Sequence, residues 1–130
     1  MATWDDVAIY LRTNYKIVED KGTVLALVFD VGDGRSQLLH VSRGSMPSID
    51  EDFAEIASPI ADAASVDVAA VLKEASKLVI GGIVQYGEKL VLRHTVPLAN
   101  VDANEFIGPL EVVTTVADML EKKYTGSDEH

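Results

Sequence analysis

The strongest constraint on the fold is a regular apolar stripe near the C-terminus. Its six residues follow one another at alternating steps of four and three positions, which places them on one face of an α-helix. Such a face has to be covered, and two strands predicted upstream, Ile83 to Tyr86 and Leu90 to Val96, belong to the sheet that would cover it. The stripe consists of Phe106, Leu110, Val113, Ala117, Leu120 and Tyr124.

The same period predicts two further helices. Thr3 can cap the first, with Asp6 completing an acidic version of the capping box. Asp67 can cap the second. The apolar face of the first helix consists of Trp4, Val7, Ala8, Leu11 and Tyr15. That of the second consists of Val68, Val71, Leu72 and Ala75.

After the first helix, the residue pattern up to Arg43 is typical of strands. The run from Val24 to Phe29 is continuously apolar, as in a central strand that is covered on both faces. Gly32-Asp33-Gly34 predicts a tight turn, and the segment from Gln37 to Arg43 returns as the next strand. Lys16 to Asp20 is a weaker strand. If helices lie on only one side of this sheet, its other face is left to a partner.

These elements predict an α+β fold with an antiparallel sheet and helices packed on one face, in the order α-β-β-β-(β)-α-β-β-α. We expect one domain over residues 1–125 and a flexible polar tail over 126–130. Gly44 to Asp52 is predicted to be irregular, Phe53 to Ala57 to be a strand or a helical turn, and Ser58-Pro59 to break regular structure. Pro109 predicts a kink or a fresh start of the last helix.

Composition excludes several classes of function. The chain has 130 residues, 48% of them hydrophobic, and no cysteine, so disulfides, thiolate metal sites and a cysteine nucleophile are excluded. The net charge of −10 would repel nucleic acid and anionic membranes. The N-terminus lacks the pattern of a signal peptide, and no apolar run approaches the ~18 residues of a membrane span. We therefore expect a cytoplasmic protein that binds neither nucleic acid nor membrane.

Residues able to carry chemistry are few. His40, His94 and His130 have none of the spacings of metal or protease motifs. His40 and His94 are both predicted in mid-strand and could be neighbours in the sheet. An enzyme or small-ligand binder would need these histidines, or the acidic run Asp50 to Asp52, to converge in a pocket. No catalytic residue, cofactor or metal is predicted, and the chain is expected not to be an enzyme.

Four further segments bear on the fold family: Ile56 to Ile60, Gly82-Ile83, Leu92 to Leu98 and Val116 to Glu121. They resemble the pattern of the YbjN family, a group described as bacterial sensory transduction regulators that is related in fold to type III secretion chaperones. This resemblance covers about Trp4 to Tyr124. It implies an antiparallel α+β domain, homodimerisation and the binding of a partner polypeptide, and it brings no catalytic residues.

The sequence thus favours a non-enzymatic, chaperone-like homodimer that engages a partner polypeptide. The alternative is a regulator of a stress or signalling pathway that contacts a folded protein. The predicted dimer or partner surface combines the middle-helix stripe with one face of the hairpin, unless these residues are ordinary core. Its residues are Val68, Val71, Leu72, Ala75, Leu90 and Leu92.

Overall fold

A computed structural model describes residues 3–46, 48–99 and 101–126. Within these residues, three α-helices and two short 3-10 turns accompany a six-stranded antiparallel sheet. The strand order is β1-β2-β3-β4-β6-β5, which confirms the predicted α+β class. The elements are α1 Trp4–Asn14, β1 Ile17–Asp20, β2 Val24–Gly32, β3 Arg35–Met46, β4 Ile49–Asp62, α2 Val68–Ala75, β5 Gly82–Tyr86, β6 Lys89–Pro97 and α3 Ile107–Thr125, with 3-10 turns at Ala63–Ser65 and Ala103–Phe106.

Helix α3 supplies the largest apolar face of the core. The first five residues of the predicted stripe, Phe106 to Leu120, are buried, and Tyr124 is half-buried against them. Helix α3 packs against β4, β3, β6 and β2, so this stripe covers the centre of the sheet. The buried faces of α1 and α2 join the same core. All three helices therefore lie on one side of the sheet.

The helix ends follow the predicted capping chemistry. The Thr3 hydroxyl accepts a hydrogen bond from the Asp6 amide at 3.3 Å, and the Asp6 carboxylate accepts one from the Thr3 amide at 3.0 Å. The Asp67 carboxylate caps α2 by accepting from the Ala70 amide. Pro109 is the third residue of α3. The N–H groups of the first helical turn have no partner within the helix, so proline removes no hydrogen bond there. The last helix thus makes the fresh start that was one of the two predicted outcomes.

The predicted break at Ser58-Pro59 is wrong, and so is the irregular segment before it. Strands β3 and β4 form one long hairpin, and β4 continues through both residues. Pro59 is tolerated in this inner strand because the β4–β6 register shifts between Pro59 and Ala61, and a proline lacking its N–H is accommodated at such a bulge. Backbone pairing between β3 and β4 ends at the pair His40 and Ala57.

Beyond the pair His40 and Ala57, buried side chains form the hydrogen bonds between β3 and β4. We call this stretch the seam between β3 and β4. The Ser58 hydroxyl donates to the Leu38 carbonyl at 2.7 Å. The buried Gln37 amide donates to the Ser58 hydroxyl at 2.8 Å and to the Pro59 carbonyl at 3.0 Å. Side-chain donors thereby take over where the backbone ladder stops.

The predicted C-terminal tail begins at Gly126, directly after the last residue of α3. Gly126 adopts the left-handed conformation, with φ 71°, and its N–H donates to the Lys122 carbonyl at 3.0 Å. This is the usual role of glycine after a helix. The remainder of the predicted tail, residues 127–130 with His130, lies outside the described residues.

Two adjacent residues of α3 test the placement of its apolar face. Leu120 is buried in the core, whereas Met119 is 56% exposed. We expect Leu120→Ala to lower the free energy of unfolding by about 2–5 kcal/mol, because it leaves a cavity, and Met119→Ala to change it by less than about 0.5 kcal/mol. Urea unfolding followed by circular dichroism measures both. Equal losses in the two variants would show that α3 is rotated from the described position.

Candidate binding site on the open sheet face

The predicted contact surface is split between the core and the exterior. Val71, Leu90 and Leu92 are buried inside one chain, so they do not form an open surface, and that part of the prediction is corrected. Stripes that face an intrachain core and stripes that face a partner have the same period, which is why the sequence did not separate them. Leu72 is 51% exposed, while Val68 and Ala75 are half-buried.

The two strand histidines lie on opposite faces of the sheet. His94 is paired with Ile56, which is paired with Val41, on the side that carries the helices. His40 is paired with Ala57 on the other side. Paired residues of neighbouring strands share a face, so the two imidazoles cannot meet. The register therefore excludes a site shared by His40 and His94, which the enzyme or small-ligand alternative could have used.

His94 lies partly beneath the helices. Burial lowers the pKa of its imidazole below the usual value of 6.5, because a charged ring loses hydration there. Its neighbours in the row, Val41 and Ile56, are both fully buried. This environment explains the pKa through packing and does not indicate a catalytic role.

The face without helices contains a hollow of 460 Å³ that crosses five strands, from β2 to β5. Val91 and Ala57 in its lining are buried, although no helix covers them. Most of the lining is apolar, with a few polar side chains at the margins. The lining residues are Val24, Leu38, His40, Ser42, Glu55, Ala57, Pro59, Tyr86, Lys89 and Val91.

A chain of hydrogen bonds closes the hollow at one margin. The Tyr86 hydroxyl donates to Glu55 Oε1 at 3.1 Å and accepts from Arg93 Nη1 at 2.8 Å. The bond to Tyr86, aided by the charge of Glu55, raises the pKa of Arg93. Lys89 forms an ion pair with Asp62 at 2.6 Å. These charges are already paired, so the hollow offers an apolar floor inside a polar rim.

The sequence contained a signal for this hollow. Leu90-Val91-Leu92 in β6, like Val24 to Phe29 in β2, is apolar without alternation, which predicts cover on both faces. Helices cover one face only. Val91 and Ala57 are the floor residues that sequence reasoning missed, because no pattern within one strand shows which side the helices occupy.

A second hollow, of 450 Å³, lies between β2 and α3 and is more polar. Asp118 lines it and forms an ion pair with Arg35 at 2.9 Å. Arg35 also contacts Glu121 at 3.4 Å, and the Glu121 side chain is fully buried. This charged cluster ties α3 to the start of β3, so its role is structural.

Neither a metal cluster nor a membrane-spanning helix occurs in the part of the chain that the structure describes. Across residues 3–46, 48–99 and 101–126, no group of three or more histidine, aspartate or glutamate side chains is placed to hold a metal ion. In the same part of the chain, none of the helices combines the length and apolarity that a bilayer crossing requires. Of the predicted acidic run, the side chains of Asp50 and Glu51 lie outside what the structure describes.

Comparison with known proteins adds no assignment. No protein-family model matches the chain, and no curated protein matches it.

The Arg35 cluster gives a prediction about stability. Arg35→Met removes the guanidinium that faces the buried Glu121 carboxylate, and breaking a buried ion pair on one side costs about 3–5 kcal/mol. We expect a loss of that size in urea unfolding. Arg12→Met breaks an exposed pair with Asp20 and serves as the control, with little change expected. An Arg35 variant as stable as the control would contradict the structural role.

His94 gives a prediction about pH. Below about pH 6.5 the unfolded chain takes up a proton at this position while the folded chain does not, so stability falls as pH decreases. We expect His94→Gln to reduce this fall between about pH 7 and about pH 5.5, measured by thermal unfolding. Asp20 and Glu74, whose pKa values are lowered by hydrogen bonds from Arg12 and Lys123, lose their contributions only at lower pH. An unchanged slope in the variant would refute the assignment.

Proposed function

We propose that this chain is a non-catalytic protein-binding module and that a partner polypeptide docks in the hollow of the open sheet face. The observation that carries the proposal is the one-sided cover of the sheet. Three helices pack on one face, while the other presents an apolar hollow that crosses five strands. The sequence resemblance to chaperone-like proteins points to the same class of function.

The size of the hollow favours a short segment as the occupant. Five strands at ~4.8 Å spacing are roughly 19 Å across, and the steps from Glu55 to Pro59 along β4 cover roughly 13 Å, giving an area of roughly 250 Å². A stable interface between folded proteins buries about 800 Å² on each side. The hollow alone is therefore too small for a folded partner, but it fits one apolar segment of a polypeptide.

The chemistry of the lining sets the character of that segment. Val24, Leu38 and Val91 offer apolar contact, which favours apolar side chains at the centre of the segment. The ion pairs at the margin of the hollow, Lys89–Asp62 and Arg93–Glu55, are satisfied within the chain, so they would form the rim. The net charge of −10 would attract basic residues on either side of the apolar centre.

The volume of the hollow also suits a small molecule. Drug-sized ligands occupy pockets of about 300–1,000 Å³, and the 460 Å³ of this hollow lies in that range. An apolar ligand is thus the second candidate, with His40 and Ser42 as the polar groups beside it. The two candidates are distinguished by whether peptides bind to the lining of the hollow.

Leu38→Glu tests the site, because it places a carboxylate on the apolar floor. Random twelve-residue peptides displayed on phage would be selected on the wild-type chain. We expect the selected peptides to have apolar centres and to lose at least about tenfold in affinity for Leu38→Glu, or 1.4 kcal/mol. Titration by fluorescence anisotropy measures the loss.

The matched control is Ile9→Glu, which adds the same charge at an exposed position of α1. Its peptide affinity should equal that of the wild type, and circular dichroism establishes that both variants are folded. Selection of no peptide, or equal binding by both variants, would overturn the proposal. If peptides fail while an apolar dye binds the wild type and not Leu38→Glu, the small-ligand function replaces it.

A further inference from the structure

The two edges of the sheet differ in how well they are protected. The β1 edge has four residues, a register shift between Ile17 and Glu19, and two acidic side chains. These features discourage pairing with another chain. The β5 edge is Gly82-Ile83-Val84-Gln85-Tyr86, which has no charged residue and no proline, and which pairs with β6 without a register shift. Only the β5 edge is suited to receive another strand.

The outward hydrogen-bonding groups of β5 can be assigned from the hairpin. Its two-residue turn, Gly87-Glu88, closes on the pair Tyr86 and Lys89. In such a hairpin the closing pair exchanges hydrogen bonds, and the pairs alternate from there. Val84 is thus bonded inward to β6, while the N–H and C=O groups of Ile83 and Gln85 point away from the sheet.

These groups lie symmetrically about Val84, which makes the edge self-complementary. We propose that two copies of this chain associate by antiparallel pairing of their β5 strands, with a two-fold axis at Val84. Ile83 of each copy faces Gln85 of the other, and each of these two pairs exchanges both of its hydrogen bonds. The result is one continuous twelve-stranded sheet in which the β5 edge of each copy is paired.

Exposed apolar side chains surround this edge. Among the described residues, seven large hydrophobic side chains are exposed, and three of them lie between positions 72 and 86. Leu72 is 51% exposed, Val79 98% and Tyr86 43%. Helix α2 packs beside β5, so pairing of the strands brings two such clusters together. Their burial provides the apolar contact that edge hydrogen bonds alone do not supply.

The charge distribution directs association to this end of the molecule. Residues 67–99, which contain α2, β5 and β6, carry four basic and three acidic side chains, a net charge of +1. All other residues together carry seven basic and eighteen acidic side chains, a net charge of −11. Two such chains repel each other through most of their sequence. Joining them through β5 brings the nearly neutral ends together, which is the contact with least repulsion.

This inference does not depend on the hollow. Strand pairing uses the edge of the sheet, whereas the proposed peptide site uses its open face. The Val84 side chains of the two copies would face each other on that face. Tyr86 belongs to both surfaces, but failure of strand pairing would leave the hollow in place, and failure of peptide binding would leave the β5 edge available.

Light scattering after gel filtration tests the association. The wild type should have twice the chain mass of 14.0 kDa at micromolar concentration. Gln85→Pro removes an outward N–H together with the exposed side-chain hydrogen bond from Gln85 to the Gly87 carbonyl, and an edge strand tolerates proline. Val79→Glu adds a charge at a highly exposed position, so both variants should be folded monomers. Val18→Glu, at an exposed position of β1, should stay dimeric. A monomeric wild type, or variants that all remain dimers, would overturn the proposal.

A disulfide tests the position of the axis. The chain has no cysteine, so Val84→Cys introduces a single thiol. At the axis, two facing Cα atoms that are not a hydrogen-bonded pair lie ~4.5 Å apart, within disulfide range. Mild oxidation should give a covalent dimer for Val84→Cys and not for Val18→Cys. Failure of the bond to form in a dimeric Val84→Cys would exclude this register.

Discussion

One-sided burial of the sheet determines the rest of this structure. Successive residues of a strand point to opposite faces, and the helices cover only one of them. Leu39 and Val41 are fully buried under that layer, whereas Leu38 and His40 line the hollow on the other side. Apolar residues on the second face lower the free energy of the folded chain only when the sheet itself shelters them or when something else covers them. The proposed function follows from this asymmetry.

Charge is also distributed unevenly in the molecule. Polar groups that lie near the core are held in specific pairs, such as Arg35 with Asp118 and Glu121, and they hold α3 in place. Acidic side chains dominate both ends of the sequence, while α2, β5 and β6 are almost neutral. Two copies of such a chain repel each other least where α2, β5 and β6 meet.

The sequence predicted the helices well because each has a local cause. Capping by Thr3 and Asp67 and the stripe from Phe106 to Tyr124 depend on residues within a few positions of one another. The register of the sheet has no such local cause. The opposite faces of His40 and His94 follow from pairings between strands far apart in the chain, and the bulge that accommodates Pro59 exists only because β6 lies beside it. The hollow was foreseeable only as an uncovered face, and its floor at Ala57 and Val91 required the three-dimensional structure.

The seam between β3 and β4 has a consequence for how the sequence can vary. A backbone ladder is made of groups that every residue except proline possesses, so most strand positions accept many side chains without loss of sheet continuity. At this seam, continuity depends on the hydroxyl of Ser58 and the amide of Gln37. Mutational tolerance should therefore be lowest at these two buried polar positions, where substitution by an apolar residue would add hydrophobicity and yet separate two neighbouring strands.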